Sequence, residues 1–415
     1  MARIVFLSVP AYGHLNPVLP IIAELVRRGH AVTVFDEPPF ERAIRATGAQ
    51  FIAYPPAMSM EDMAAVLIGG DLMATFELFL RASAPLYDFC LKALRNDRPD
   101  VLVIDGIALW GEMVGRRLRV PTVVASPFFA YGLSRHDAAA EIRANVINLA
   151  RVFPPLVMDW IRVALRGVHL LPLHWPLMPA RGNLTLMLTS REMHPPARQK
   201  YTFVGATIDA RTRSETFDLS RLDGRPVIYV SLGTLIFGKT NFYERVMEAL
   251  GDYPAQVLLS AGKGSDLSRF RGAPANFIIE ETFPQLAILE HTDIFVTPAG
   301  LNSVHEALWY GVPMVMVPQH FEQLHNAESA AAGGAGVLLG AEAHGGTVPA
   351  AQLRTAVETI AADLDGYRNR ARKLGDTLRT GGGYAEAANR IEAMIGGKRS
   401  PRIQPPPAIP AASAG

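Results

Sequence analysis

Two series of buried-strand signals, each alternating with amphipathic helical stretches, limit the possible folds of this chain more than any other feature. The first series predicts strands at residues 4–9, 30–35, 50–54, 101–105 and 122–125. The second predicts strands at residues 227–231, 256–260, 276–280, 293–297, 313–317 and 336–339. Strands that alternate with helices form a parallel sheet covered on both faces. We therefore predict an α/β protein with two doubly wound parallel-sheet, Rossmann-like domains.

The length of 415 residues also fits two domains. We expect an N-terminal domain at residues 1–204 and a C-terminal domain at 226–380. Residues 205–225 are charged, without a clear period, and are predicted to form an interdomain linker. Residues 381–396 continue a helical pattern, and the tail at 397–415 is rich in Pro, Ala and Ser, which is typical of disorder.

The composition excludes several classes of protein. Hydrophobic residues make up 49% of the chain and charged residues 19%, so sizeable cores can form. A net charge of +1 without a long Lys/Arg block speaks against a nucleic-acid partner. Cys90 is the single cysteine, which excludes an intrachain disulfide and favours a cytoplasmic location. The apolar stretch at 146–179 is interrupted by charges and prolines, so we expect no transmembrane segment.

The first predicted sheet brings a histidine and a carboxylate together. Ligands of an open parallel sheet bind beyond the carboxyl ends of the strands, where the strand order reverses. In the common order 3-2-1-4-5 this point lies between strand one, which leads to His14, and strand four, which ends at Asp105. A carboxylate that fixes the tautomer of a neutral imidazole makes a general base. The alternative is that both residues merely cap the helices that follow them.

The second predicted sheet repeats this geometry with small and hydroxyl-bearing residues. Its first strand ends at Ser231 and continues to Thr234, and its fourth strand runs through Pro298 and Gly300 into a helix near Asn302 and Ser303. A helix N-terminus with hydroxyls around it favours an anionic phosphate group. Gly and Ser are also ordinary turn residues, so the spacing alone does not decide between a phosphate site and a plain turn.

The sequence as a whole resembles the family 1 glycosyltransferases of GT-B fold, in their bacterial macrolide and natural-product branch. The resemblance covers residues 1–396 and rests on motifs in both halves. These motifs are Gly13-His14-Leu15-Asn16-Pro17, the strand ending in Asp105, Phe283-Pro284-Gln285-Leu286, the run from Asp293 to Asn302-Ser303, Glu306-Ala307-Leu308, Gly311-Val312-Pro313 and Glu322-Gln323.

The resemblance implies roles for these residues. His14 takes the proton of an acceptor hydroxyl and Asp105 holds the imidazole, in one inverting step without metal or other cofactor. Residues 1–204 then bind a hydrophobic small-molecule acceptor in a pocket lined by the stretch 128–179 and by parts of 58–79. Residues 226–380 bind the nucleotide-sugar co-substrate. Residues 381–396 cross back onto the first domain, and the protein is a monomer or homodimer. The implied donor-binding residues are Ser231, Thr234, Asn302 and Ser303 for the diphosphate, Phe283 and Gln285 for the base, Glu306 for the ribose, and Glu322 and Gln323 for the sugar.

Two positions depart from the family pattern. Pro298 stands where the family usually has a histidine that donates a hydrogen bond to the diphosphate. Pro is acceptable at a helix start, but the lost bond is worth about 1.5–3 kcal/mol. Thr282 stands where many members stack an aromatic ring on the base, so the resemblance does not indicate which nucleobase binds.

The leading interpretation is a UDP- or dTDP-dependent hexosyltransferase, and two alternatives remain. Pro298 leaves room for a donor-site-impaired homologue that binds an aglycone or helps a partner enzyme. A nicotinamide-dependent oxidoreductase would need Gly-x-Gly-x-x-Gly after the first strand, and residues 9–13 do not supply it.

Overall fold

A computed structural model describes residues 1–59, 62–63, 66, 72–128, 161, 165, 180–195, 200–213, 216–233 and 240–395. Within these residues two parallel sheets are present, and the predicted α/β class with two doubly wound domains is confirmed. The predicted tail at 397–415 and most of the predicted acceptor stretch at 128–179 lie outside the described residues.

The first sheet has the strand order β3-β2-β1-β4-β5-β6-β7, which confirms the predicted neighbours β1 and β4. Its strands are β1 (Arg3–Leu7), β2 (Ala31–Asp36), β3 (Gln50–Ala53), β4 (Val101–Asp105), β5 (Thr122–Ser126), β6 (Leu184–Met187) and β7 (Thr202–Phe203). The described helices that cover it are α1 (Tyr12–Leu15), α2 (Leu19–Arg27), α3 (Glu41–Ala46), α4 (Leu72–Leu94) and α5 (Leu109–Leu118).

The second sheet repeats this plan with the order β10-β9-β8-β11-β12-β13, all parallel. Its strands are β8 (Val227–Ser231), β9 (Gln256–Ser260), β10 (Phe277–Glu280), β11 (Ile294–Thr297), β12 (Met314–Met316) and β13 (Gly336–Leu338). Its helices are α6 (Thr240–Leu250), α7 (Gln285–Leu289), α8 (Leu301–Tyr310), α9 (Phe321–Ala332), α10 (Ala350–Ala362), α11 (Leu364–Thr380) and α12 (Gly383–Glu392).

The central strands are buried on both faces, which is why they are continuous apolar runs in the sequence. Every residue of β4 and of β8 is buried. Apolar clusters lie on both sides of each sheet, with Trp110 of α5 fully buried in the first and Phe295 of β11 in the second. The rigid sheets hold the loops at their carboxyl ends in fixed positions.

The loop after β1 contains a short helix that ends at Asn16. The backbone N–H of Asn16 donates to the carbonyl of Tyr12, so Asn16 ends the one-turn helix α1. The longer helix α2 begins three residues later, with Pro20 in its first turn. His14 therefore lies on a helical turn of its own.

The two halves of the chain contact each other through their connecting segments. Glu392 of α12 pairs with Arg28 at 2.6 Å and with His30 at 2.8 Å, so α12 packs on the first domain beside α2. The Thr207 hydroxyl donates to the Pro17 carbonyl. At Gly205, with φ +77, an added Cβ would lie 2.0 Å from the Leu378 carbonyl oxygen, so this close approach requires glycine.

None of the described helices has the length and apolar character that a membrane span needs.

Candidate active site

His14 and Asp105 form a hydrogen-bonded pair at the carboxyl edge of the first sheet. The Nδ1 of His14 lies 2.9 Å from Oδ2 of Asp105. The other Asp105 oxygen accepts the backbone N–H of Ile107 at 2.9 Å, which fixes the carboxylate. Because an ionised carboxylate only accepts hydrogen bonds, Nδ1 of His14 carries the proton and Nε2 is the basic nitrogen. The structure thus brings together two residues that are 91 positions apart in the sequence.

The surroundings of His14 favour its protonated form. Burial lowers the pKa of His14, but the charge of Asp105 and its hydrogen bond, with smaller contributions from Glu322 and Asp36, outweigh burial. The net effect raises the pKa of His14 above its ordinary value. The side chain of His14 is 19% exposed and that of Asp105 is 6% exposed, so the imidazole alone faces the solvent side of the pair. Phe128 places its ring centroid 6.0 Å from the imidazole.

The second half of the site begins at the ends of β8 and β11. Ser231 is the last residue of β8, is buried, and accepts the backbone N–H of Gly233 through its hydroxyl at 3.2 Å. Gly300 is the N-cap of α8 and, having no side chain, makes no capping hydrogen bond to the start of this helix. Pro298 lies two residues before the cap, and the helix begins at Leu301, close to the predicted start near Asn302. The Pro298 ring is buried.

The loop between β11 and α8 is held in an unfavourable conformation. Ala299 has φ +63, a left-handed backbone that costs a residue with a Cβ about 1–2 kcal/mol. Its carbonyl accepts the Asn326 side-chain amide at 3.1 Å, and its N–H donates to the Thr297 hydroxyl at 3.3 Å. Such strain persists only where the surroundings fix it. Asn326, fully buried on α9, is a positioning residue that no sequence motif indicated.

Two hydrogen bonds join α8 to the first domain. The Asn302 amide donates to the Gly13 carbonyl at 2.9 Å, so the start of α8 lies beside the turn that carries His14. The Thr189 hydroxyl lies 2.9 Å from Nε2 of His305. Burial lowers the pKa of His305 to about 3, so this imidazole is neutral. The sequence offered no metal or catalytic pattern for His305, and its contact with Thr189 could be found only from the fold.

The predicted nucleotide residues of α7 and α8 contact one another. Nε2 of Gln285 donates to Glu306 at 2.7 Å and to the Ser303 hydroxyl at 3.2 Å. Glu306 also pairs with Arg213 at 2.6 Å. Arg213 lies in the segment between the sheets and was not predicted as a site residue.

The predicted sugar residues begin α9. Glu322 lies in its first turn, close enough to His14 for its charge to raise the pKa of the imidazole. Gln323 is 8% exposed and accepts the backbone N–H of Gln319 at 2.9 Å.

The predicted residue Phe283 does not present its side chain to this site. The Phe283 ring is buried and packs edge-on against Tyr229 and Phe217. Only the backbone at Phe283 is therefore left to flank a base. Thr234 lies outside the described residues.

Three glycines border a space, called the cleft below, in which no atom of the described residues lies close to their backbone. A Cβ added to Gly13, Gly233 or Gly300 would meet no atom within 4 Å. These glycines come from the His14 turn, the end of β8 and the start of α8. A ligand in this cleft can therefore approach an imidazole and an uncapped helix N-terminus at once, an arrangement suited to an anionic group beside a proton acceptor.

Comparisons with known proteins agree with this geometry. The family of UDP-glucoronosyl and UDP-glucosyl transferases matches residues 209–377. The NDP-glycosyltransferase YjiC of Bacillus subtilis is 27% identical over 398 residues, covering 95% of this chain and 97% of the relative. The oleandomycin glycosyltransferase of Streptomyces antibioticus is 29% identical, covering 95% and 91%. The crystal structure of the glycotransferase of kitacinnamycin has a TM-score of 0.80 at 28% identity, covering 95% of this chain and 99% of that one.

Two parallel sheets with a shared cleft define the GT-B class of glycosyltransferases, and the relatives match along nearly the whole chain. Residues 209–377 match the family of UDP-glucoronosyl and UDP-glucosyl transferases, and nearly the whole chain is similar to bacterial glycosyltransferases, some of them named for natural products. It is therefore an enzyme, a nucleotide-sugar-dependent glycosyltransferase.

Replacing Asn326 with leucine tests how the strained loop is held. We expect Asn326→Leu to lower the free energy of unfolding by about 1–3 kcal/mol, because the buried Ala299 carbonyl loses its partner. Urea unfolding followed by circular dichroism measures this change. Asn96→Leu, at an exposed position, is the matched control and should change stability little. Equal stability of the two variants would show that Asn326 does not hold the loop.

Proposed function

We propose that this enzyme transfers a sugar, with inversion and without a metal ion, to a hydroxyl of a hydrophobic natural product such as a macrolide or polyketide aglycone. One observation carries the proposal. The His14–Asp105 pair on the first domain is joined to the uncapped start of α8 on the second through the Asn302–Gly13 hydrogen bond. This contact supports a proposed general base and a proposed phosphate site that lie side by side.

The proposed reaction is a single displacement. Nε2 of His14 takes the proton of the acceptor hydroxyl as its oxygen forms a bond to the anomeric carbon. The bond from that carbon to the diphosphate oxygen breaks, and the nucleoside diphosphate leaves with the electron pair. Asp105 stabilises the imidazolium that forms. Attack opposite the leaving group inverts the anomeric centre.

The leaving diphosphate is proposed to be stabilised by the protein alone. The uncapped N-terminus of α8 carries a partial positive charge directed at the cleft. The hydroxyls of Ser231, at the end of β8, and Ser303, in the first turn of α8, add hydrogen-bond donors. Preorganised dipoles of this kind are effective where charge develops in the transition state.

The acceptor is proposed to lie on the apolar side of His14. Phe128 flanks the imidazole, and Met58, Met63 and Phe79 are buried in the adjacent core of the first domain. The relatives named for oleandomycin and kitacinnamycin also support an acceptor of natural-product type. A cytoplasmic location and a monomeric or homodimeric state belong to the same proposal, and cell fractionation and light scattering test them.

Loss of the base should abolish most transfer. We expect His14→Ala to reduce kcat/KM by about 10²–10⁴-fold, the usual contribution of a general base, with nucleotide binding retained. Asp105→Asn should reduce turnover in the same direction. In the wild type, transfer should increase with pH through the raised pKa of His14, because only the neutral imidazole accepts a proton. Mass spectrometry of the glycoside formed measures the rate.

His325→Ala is the control for this experiment, since His325 pairs with Glu328 on α9 and has no proposed role. The assay is run with and without excess EDTA, and the anomeric configuration of the product is read by NMR. Wild-type rates in His14→Ala would exclude the general base. Activity lost in EDTA and restored by Mg²⁺ or Mn²⁺ would exclude the metal-free mechanism, and a retained configuration would exclude single displacement.

Pro298 provides a separate test of the donor site. If Pro298→His restores a charge-assisted hydrogen bond, nucleotide diphosphate should bind up to about 10- to 150-fold tighter, equivalent to 1.5–3 kcal/mol. Turnover should also rise, because the leaving group gains charge in the transition state. Because the proline ring is buried, repacking of the loop reduces the gain.

Calorimetric titration of both proteins with UDP and dTDP measures the change. Pro298→Ala is the matched control, because it removes the ring without adding a donor. If neither nucleotide binds the wild type or the histidine variant, the cleft is not a donor site. A protein that binds an aglycone or assists a partner enzyme would then be the better assignment.

A further inference from the structure

Arg213 joins the segment between the two sheets to the donor helix. It follows the 3₁₀ turn Ala210–Thr212, and its Nη1 donates to Oε1 of Glu306 at 2.6 Å. The side chain of Arg213 is 26% exposed and that of Glu306 is 2% exposed. A carboxylate buried to this degree needs a charged or hydrogen-bonding partner. Arg213 supplies that partner from outside the second sheet.

The contacts of Glu306 leave a defined hydrogen-bonding capacity. Oε1 accepts Arg213, and Oε2 accepts Gln285 at 2.7 Å. An ionised carboxylate offers about four acceptor positions, two on each oxygen. One position on each oxygen therefore remains for a ligand. Two adjacent acceptors match the two vicinal hydroxyls of a ribose, whereas a 2′-deoxyribose would leave one acceptor without a partner.

We propose that Arg213 is a positioning residue that holds the Glu306 carboxylate in place for both ribose hydroxyls, so that the site prefers a ribonucleotide donor to its 2′-deoxy counterpart. This inference rests on the proposed donor site. Arg213 acts through Glu306 and does not contact the reacting atoms. Removing one hydroxyl from the ligand leaves a buried acceptor unpaired, which is the kind of mismatch that polar sites reject strongly.

The test compares UDP with 2′-deoxy-UDP, which share the base and the diphosphate. The wild type should bind UDP at least about tenfold more tightly, corresponding to one lost hydrogen bond to a charged group. In Arg213→Gln, UDP affinity should fall by a similar factor and that of 2′-deoxy-UDP much less, so the preference shrinks. Isothermal titration calorimetry gives both constants.

Arg211→Gln is the matched control from the same 3₁₀ turn. Arg211 is 76% exposed and pairs with Asp209, so its replacement should leave the preference for UDP unchanged. Arg213→Lys keeps a cation near Glu306 and should retain part of the preference. It provides the test if thermal melting shows that Arg213→Gln does not fold.

The outcomes separate this inference from the proposed function. If the wild type binds UDP and 2′-deoxy-UDP equally, or if Arg213→Gln keeps the full preference, the inference is overturned while the donor site stands. An equal loss for both nucleotides would mean that Arg213 acts on the diphosphate. Tighter binding of both would mean that it competes with the ligand, and either result overturns the inference. A wild type that binds no nucleotide contradicts the donor site and this inference together.

Discussion

The hydrogen bond between His14 and Asp105 is the interaction on which the catalytic account depends. It exists because β1 and β4 are parallel neighbours at the reversal point of the first sheet, so the residues after them meet at one edge. One oxygen of the Asp105 carboxylate accepts the backbone N–H of Ile107, and the other oxygen contacts the imidazole. Burial alone would lower the pKa of His14, and the carboxylate reverses that effect. The raised pKa of His14, which suits the proposed base, is thus a consequence of strand order.

The second domain contributes dipoles and hydrogen bonds to the same cleft. Its loop between β11 and α8 holds Ala299 in a left-handed conformation, fixed by Asn326 and Thr297. Asn302 then connects the start of α8 to the Gly13 carbonyl, one residue before His14. Because the imidazole turn and the helix N-terminus share this contact, the packing of the domains sets the distance between the proposed base and the proposed phosphate site. The Thr189–His305 bond supports the same arrangement from a buried position.

The sequence predicted the parts of the structure that depend on burial and topology. Strands β4 and β8 have the predicted bounds, because strands buried on both faces are continuous apolar runs. The short helix α1 could not be read from the sequence, since Asn16-Pro17 fits both the cap of a following helix and the end of a preceding turn. The Arg213–Glu306 pair could not be predicted, because it depends on how an irregular segment returns to α8. Sequence periodicity carries no information about such contacts.

The most direct test of the central pair is the titration of the His14 imidazole itself, followed by NMR of ¹⁵N-labelled protein and assigned with His14→Ala. The charges that act on this ring come from Asp105, Glu322 and Asp36. The wild-type pKa should lie above the ordinary value of 6.5, and Asp105→Asn should lower it, because burial then acts without the neighbouring carboxylate. A wild-type pKa at or below 6.5, or one that Asp105→Asn leaves unchanged, would contradict the account.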